Sequence, residues 1–288
     1  MAGYLDEAAD FVYSDPRRAL ARELSNKLSE HVAAVLSRYS EFDQRYRAVS
    51  GSTARDTHLP DDFDFDIGLL PRHGTDDVQF FSALGRVVSE LAGALACDVG
   101  FCQGLAFLCA TWPTDVRDAL RTPQQKLWPD GVSLMTYKLK HGDRSIIEIT
   151  GGRDAWLRFG LLYQSGWAAQ ARRLAPEGLK AVVSHICLLK RLAKTRGVYG
   201  GDGGGPASRG VEQLVMHYRA RQAPLVTLLQ RIANSPGRDG LCGMLYPVTN
   251  RQMVGLGLKP ESRQIMRAFK PDGWEKYKKI ATDVLNWR

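Results

Sequence analysis

Leu20, Leu24, Leu28, Val32 and Val35 recur at three- and four-residue intervals behind Ser14-Asp15-Pro16, which predicts a helix from about residue 16 to residue 37 with one apolar stripe. Proline is tolerated at a first helical position, where its missing N–H has no partner to lose, and the nearby Asp15 suits the positive end of the dipole. Residues 45 to 50 have extended character and Gly51-Ser52 reads as a turn. Phe63-Asp64-Phe65-Asp66-Ile67 then alternates apolar and acidic positions into Leu69-Leu70, the pattern of a half-buried strand. Thr75-Asp76 can cap a second helix that reaches about residue 96, while residues 98 to 130 follow neither period. Val132 to Lys140 and Arg144 to Thr150 flank His141-Gly142-Asp143 as the arms of a hairpin. From Pro176 the period is helical again. Leu179, Val183, Ile186 and Leu189 share a face, Gly197 stands where a C-terminal cap belongs, and Ser208 can start a helix through Tyr218. Further helices are expected at 223 to 234, 260 to 270 and 272 to 286, and GGDGGGP at 200 to 206 reads as a connector. The first half therefore reads as mixed α and β and the second as all-helical, with no internal repeat.

Composition narrows the class. The 288 residues are 44% hydrophobic and 24% charged, those of an ordinary globular chain, and 28 glycines and 13 prolines exclude a fibrous or disordered one. The most apolar region, residues 80 to 112, is broken by Arg86, Glu90 and Asp98, so no membrane span is expected. The start MAGYLDEAADFVY carries acids where a secretory signal needs basic residues, which leads us to expect a cytoplasmic protein. Cys97, Cys102, Cys109, Cys187 and Cys242 form no C-x-x-C pair and are expected to be buried thiols. The net charge of +8 hides an asymmetry: residues 1 to 155 hold 17 Lys/Arg against 23 Asp/Glu, a net of −6, and residues 156 to 288 hold 22 against 8, a net of +14. So basic a half suits a polyanion, because each cation near a phosphate releases condensed counterions; it would equally serve as a solubilising surface.

Asp64 and Asp66 lie two apart on the expected strand, so their side chains share a face. Two such anions repel unless a cation lies between them, and hard divalent ions prefer carboxylate oxygens and bring substrate phosphates as further ligands. The Gly51-Ser52 turn upstream can offer backbone N–H groups and a hydroxyl to a phosphate. Read alone, the pair could also be exposed charges on a half-buried strand.

Read whole, GSTARDTHLPDDFDFDIGLL resembles the catalytic signature of the DNA polymerase β-like nucleotidyltransferases, most closely that of the archaeal (class I) CCA-adding tRNA nucleotidyltransferases. Gly51, Ser52, Ala54, Arg55, Thr57, Leu59, Pro60, Asp64 and Asp66 match its pattern without a gap. Downstream, Leu188-Leu189-Lys190 with Gly197-Val198-Tyr199-Gly200 resembles the family's L-L-K helix and G-V-Y-G. Glu212 to His217-Tyr218 is similar to its E-L-x-x-H-Y with Gln213 intervening, and Pro247 to Val254 is a weaker echo that puts Arg251 near an arginine reading the nucleobase. The likeness covers the head and neck regions only. This chain departs from the pattern in having Asp64 where glutamate is frequent, Glu148 where aspartate is usual and Tyr246 in place of an acid.

The resemblance implies an α+β fold: a polymerase β-like nucleotidyltransferase domain with a mixed β-sheet over residues 1–155, then a basic helical domain over 156–288 that completes the nucleotide and acceptor site. It implies catalysis by Asp64, Asp66 and a third carboxylate, Glu148, together holding two Mg²⁺ ions (or Mn²⁺) about 4 Å apart. Gly51, Ser52, Arg55, Lys190, Tyr199 and Arg251 would bind the nucleotide, although Lys190 and Tyr199 read alone are surface residues. The implied reaction moves NMP from CTP or ATP to a hydroxyl, at an RNA (tRNA) 3′ end or, alternatively, on a small molecule or a growing oligonucleotide messenger. No zinc spacing occurs among the six histidines, GGDGGG lacks the flanks of a P-loop, and Trp112, Trp128 and Trp156 read as packing residues.

Overall fold

The computed structural model describes residues 2–46, 48–127, 134–198, 208–220, 224–235, 248–260 and 271–286. The chain divides into two compact units, Pro16–Ser165 and a second made of Met1–Asp15 with Gly166–Arg288. The division expected after residue 155 thus falls ten residues later, inside a helix, and the first fifteen residues group with the C-terminal half.

The Pro16–Ser165 unit is built on a five-stranded mixed sheet of order β1-β2-β5-β4-β3, from β1 (Val49–Ser50), β2 (Phe65–Leu69), β3 (Gln124–Leu127), β4 (Leu134–His141) and β5 (Arg144–Gly152). β2 and β5 run parallel; the other pairs are antiparallel. The β4–β5 hairpin turns on two residues, Gly142 and Asp143, and Gly142 supplies the positive φ of 58° that the turn needs. Its register shifts between Leu139 and Lys140, leaving Ile146 as an extra residue on β5. The bulge lets two successive residues, Ile146 and Ile147, both be buried.

Helices α2 (Pro16–Leu36), α4 (Asp77–Cys97), α5 (Val99–Cys109) and α6 (Pro113–Arg121) enclose the core with the sheet. The expected α2 stripe is present with one change: Leu20 is only partly buried, and Arg18 is sealed in the same helix. Asp76 caps α4 by accepting from the Gln79 N–H, as the sequence predicted for this position. α4 is long and apolar enough to cross a membrane by length and composition, yet Phe80, Leu84, Val87, Val88, Leu91 and Leu95 are buried in this core. Residues 98 to 127, unreadable by period, form α5, α6 and β3. Trp112 and Trp156, read as packing residues, are exposed, and Trp128 lies outside the described residues. Cys102 and Cys187 are buried as expected; Cys109 is half-buried, Cys97 is exposed, and Cys242 lies outside the described residues.

A short helix, α3 (Gly51–Ala54), follows β1, and α7 (Ala155–Ala171) follows β5 and runs through the division between units. The second unit packs α1 (Ala2–Tyr13), α8 (Pro176–Thr195), α9 (Ser208–Ala220), α10 (Leu225–Ala233) and α12 (Pro271–Asn286), with a short α11 (Asn250–Gly255). α1 lies against α8, where His185 Nε2 is 2.7 Å from Asp6 Oδ1, and the side chain is buried. α8 ends as expected: Gly197 takes φ 64°, and the Val198 N–H donates back to the Ala193 carbonyl. Of the helix expected at 260 to 270, residues 261 to 270 lie outside the described residues, as does the glycine-rich connector.

Candidate active site

β2 faces two ways. Phe65, Ile67 and Leu69 enter the core, so Asp66 and Gly68 project from the opposite face. Leu157 and Leu161 of α7 cover that face at Gly68, where an added Cβ would come within 3.0 Å of Leu161. Asp66, two residues earlier, is half-buried. Its register partner on β5 is Glu148, and the partner of Glu148 on β4 is Lys138, so two carboxylates and an ammonium lie side by side across three strands. Lys138 Nζ is 2.7 Å from Glu148 Oε2.

Asp64 stands just before β2 with its side chain exposed, and neighbouring side chains hold its backbone. Thr53 Oγ1 donates to the Asp64 carbonyl at 2.5 Å. Arg144, at the start of β5, donates to the Phe63 carbonyl at 2.7 Å with its guanidinium 4.2 Å above the Phe63 ring. Ser50 pairs with Asp66 in β1, so α3 begins directly beside the Asp66 carboxylate. Gly51 meets two demands there: its φ is +83°, and a Cβ would stand 2.1 Å from Asp66 Oδ2. Ser52 is half-buried on the same turn.

The rest of the signature builds the support. The Thr57 N–H and hydroxyl both donate to the Ser52 carbonyl, closing α3. Arg18 donates to the carbonyls of Asp56 and His58 and pairs with the Asp56 carboxylate at 3.0 Å, while Arg22 reaches the same carboxylate at 3.2 Å. Burial pushes the Asp56 carboxyl above its ordinary value against the pull of these two arginines. Arg55, expected at the nucleotide, turns inward: it is 6% exposed, donates to Gln164 Oε1 at 2.9 Å and lies 5.1 Å over the Tyr163 ring. Its guanidinium therefore ties α3 to α7 within this unit.

Asp64, Asp66, Glu148, Gly51 and Ser52 all lie in the Pro16–Ser165 unit near the start of β2, while Lys190 and Arg251 belong to the other unit. Lys190 is 1% exposed, and its ammonium is 2.9 Å from Glu212 Oε1, on a side chain sealed from solvent, to which Ser208 Oγ also donates. Arg251 is exposed on the first turn of α11, and Tyr199 lies outside the described residues. Sequence reasoning passed over Lys138, Arg144, Thr53 and Arg18.

Among the described residues no three Asp, Glu, His or Cys side chains stand grouped as a ready metal cage. The donor set still fits a hard divalent ion: all its donors are carboxylate oxygens, two of them on paired strand positions, and the turn at Gly51 leaves no room for a side chain against Asp66. Within this set Glu148 pairs with Lys138.

No family model and no curated protein matches the chain. Among solved structures it is similar to a cytoplasmic RNA terminal U-transferase, 13% identical over 98% of this chain and 93% of that one, with a TM-score of 0.51. It is likewise similar to the Cid1 poly(U) polymerase bound to MgATP, 14% identical over 98% of this chain and 94% of that one, with a TM-score of 0.52. The chain has the nucleotidyltransferase fold. The nucleotidyltransferase fold accounts for the mixed sheet with abundant helix that the sequence led us to expect.

Proposed function

We propose that this chain is a Mg²⁺-dependent, template-independent nucleotidyltransferase of EC 2.7.7 type that moves an NMP from CTP or ATP to the 3′ hydroxyl of an RNA, tRNA first among them, with release of pyrophosphate. The observation that carries the reading is the pairing of Asp66 with Glu148 in adjacent strands, with Asp64 two residues ahead and the Gly51 turn against Asp66. Asp64, Asp66 and Glu148 would hold the metal, which when bound supplies charge stabilisation for the attacking hydroxyl and the leaving pyrophosphate. The protein's own task in such chemistry is placement. Thr53 and Arg144 fix the backbone that carries Asp64, and Gly51 and Ser52 offer a turn suited to the triphosphate. The +14 balance of residues 156–288 suits an RNA acceptor. A cytoplasmic setting accords with this, and one structural neighbour is itself described as cytoplasmic.

The deciding experiment incubates the protein and Mg²⁺ with each labelled NTP in turn and either total tRNA or a tRNA-free metabolite extract. UTP belongs in the set because both neighbours are named for uridylyl chemistry. Label in tRNA that Asp66→Asn abolishes supports the reading. Label only in the metabolite pool transfers the assignment to a small-molecule acceptor, and no label with any NTP overturns it.

A further inference from the structure

Glu148 sits between two neighbours of opposite kind. Across one strand pairing lies Asp66, a like charge; across the other lies Lys138, whose ammonium it meets at 2.7 Å. We propose that Lys138 is a positioning residue that competes with the divalent ion for Glu148, so that loading the site exchanges a built-in cation for a metal. The inference rests on the reading of Asp64, Asp66 and Glu148 as the metal-binding set.

Three features support an exchangeable pair. Lys138 and Glu148 keep 26% and 30% of their side-chain surface exposed, unlike the sealed Lys190–Glu212 pair, so water can follow either partner when they separate. Glutamate carries one methylene more than aspartate, so its carboxylate can swing from one neighbouring strand toward the other while the backbone stays in register. Without a cation, Asp66 and Glu148 on paired positions would repel. Lys138 relieves that repulsion in the metal-free protein and opposes the metal in proportion.

The test measures Mn²⁺ binding to the full chain directly, by the electron paramagnetic resonance signal of free Mn²⁺, with no turnover involved. Lys138→Met keeps the stem and removes the charge, and should tighten Mn²⁺ binding roughly three- to tenfold, the range for a partly exposed pair beside a divalent ion. Lys138→Arg should bind as wild type does. In a Glu148→Gln background Lys138→Met should change nothing, because the contested carboxylate is gone. Unchanged or weaker binding by Lys138→Met overturns the proposal, and so does an equal gain in the Glu148→Gln background, which would be a general charge effect. Asp66→Asn separates the two levels of argument: if it abolishes binding while the Lys138 variants match wild type, the metal site stands and the competition fails. If wild type binds no Mn²⁺, both fall.

Discussion

Gly51 and Asp66 are in contact across fifteen residues of sequence, closely enough that a Cβ on Gly51 would stand 2.1 Å from Asp66 Oδ2. The contact sets a turn at positive φ directly against a carboxylate of the candidate metal set, so the two positions constrain each other. Gly51→Ala should therefore fail twice. An L side chain at φ +83° is strained by roughly 1–2 kcal/mol, and its methyl must also push the Asp66 carboxylate aside. We expect a lower unfolding midpoint and at least about a hundredfold loss of transfer, since misplacement of a reacting group by an ångström has that effect. Turnover near wild type would show that the Asp66 carboxylate does not need this place.

Asp66→Ala separates chemistry from folding. The side chain is half-buried beside Glu148 and stands on the face of β2 opposite Phe65 and Ile67, so its removal leaves the core untouched. Transfer should vanish while the unfolding midpoint holds or rises, and the same is expected of Asp64→Ala, whose side chain is exposed. Residual activity within tenfold of wild type in either variant would remove that carboxylate from the metal set.

Lys190 and Glu212 make the opposite forecast. Both side chains are sealed, and Lys190 Nζ is 2.9 Å from Glu212 Oε1. Lys190→Ala leaves a buried carboxylate uncompensated and should destabilise the chain by about 3–5 kcal/mol. Adding Glu212→Gln should recover much of the loss, as urea unfolding of the single and double variants would show. If Lys190→Ala unfolds as wild type does and only raises the KM for NTP, the lysine serves the triphosphate and the buried pair contributes little.

How much of this was legible in sequence varies with how local the cause is. The two-residue hairpin between His141 and Arg144 can be read from Gly142-Asp143, yet counting back from that turn without a bulge would set Tyr137 opposite Glu148. The extra residue at Ile146 shifts the ladder by one and brings Lys138 there instead, which no periodicity in either arm announces. α6 has no period to read although Pro113 opens it and Val116 and Leu120 share its buried face, because a nine-residue helix buries only these two positions. β3 reads Gln-Gln-Lys-Leu and owes its strand to pairing with β4. Arg55 and Lys190 show the same limit in the site. A motif names the residue type, but whether a cation points outward depends on partners as distant as Gln164 and Glu212.

Stability should fall in acid through Asp98. Its carboxylate accepts from the Phe101 N–H at the start of α5 and lies 2.9 Å from His31 Nε2, and these bonds, the histidine's foremost, hold its pKa below the ordinary 3.8. Because the folded value is depressed, the contribution is fully present above the unfolded pKa and is lost as pH falls through the folded one. Thermal unfolding followed from pH 6 down to pH 2 should show Asp98→Asn less stable than wild type at the upper end, with the gap closing below about pH 4. A gap that stays constant over that range would assign the loss to the cap geometry alone.

Arg55 offers a split between two kinds of failure. Its guanidinium donates to Gln164 Oε1 at 2.9 Å and lies 5.1 Å over the Tyr163 ring, so it braces α3, and with it the Gly51–Asp66 contact, against α7. A charged hydrogen bond of this kind contributes about 1.5–3 kcal/mol, and Arg55→Met should lose that much stability together with kcat, because the turn beside Asp66 loosens while the donor set survives. The KM for NTP should change little. Arg55→Lys keeps the charge but not the planar stacking on Tyr163, and should rescue only part of either loss. A residue that contacted the nucleotide would behave otherwise, raising KM with stability intact. Steady-state kinetics and chemical unfolding on the same three proteins therefore decide between a brace and a ligand.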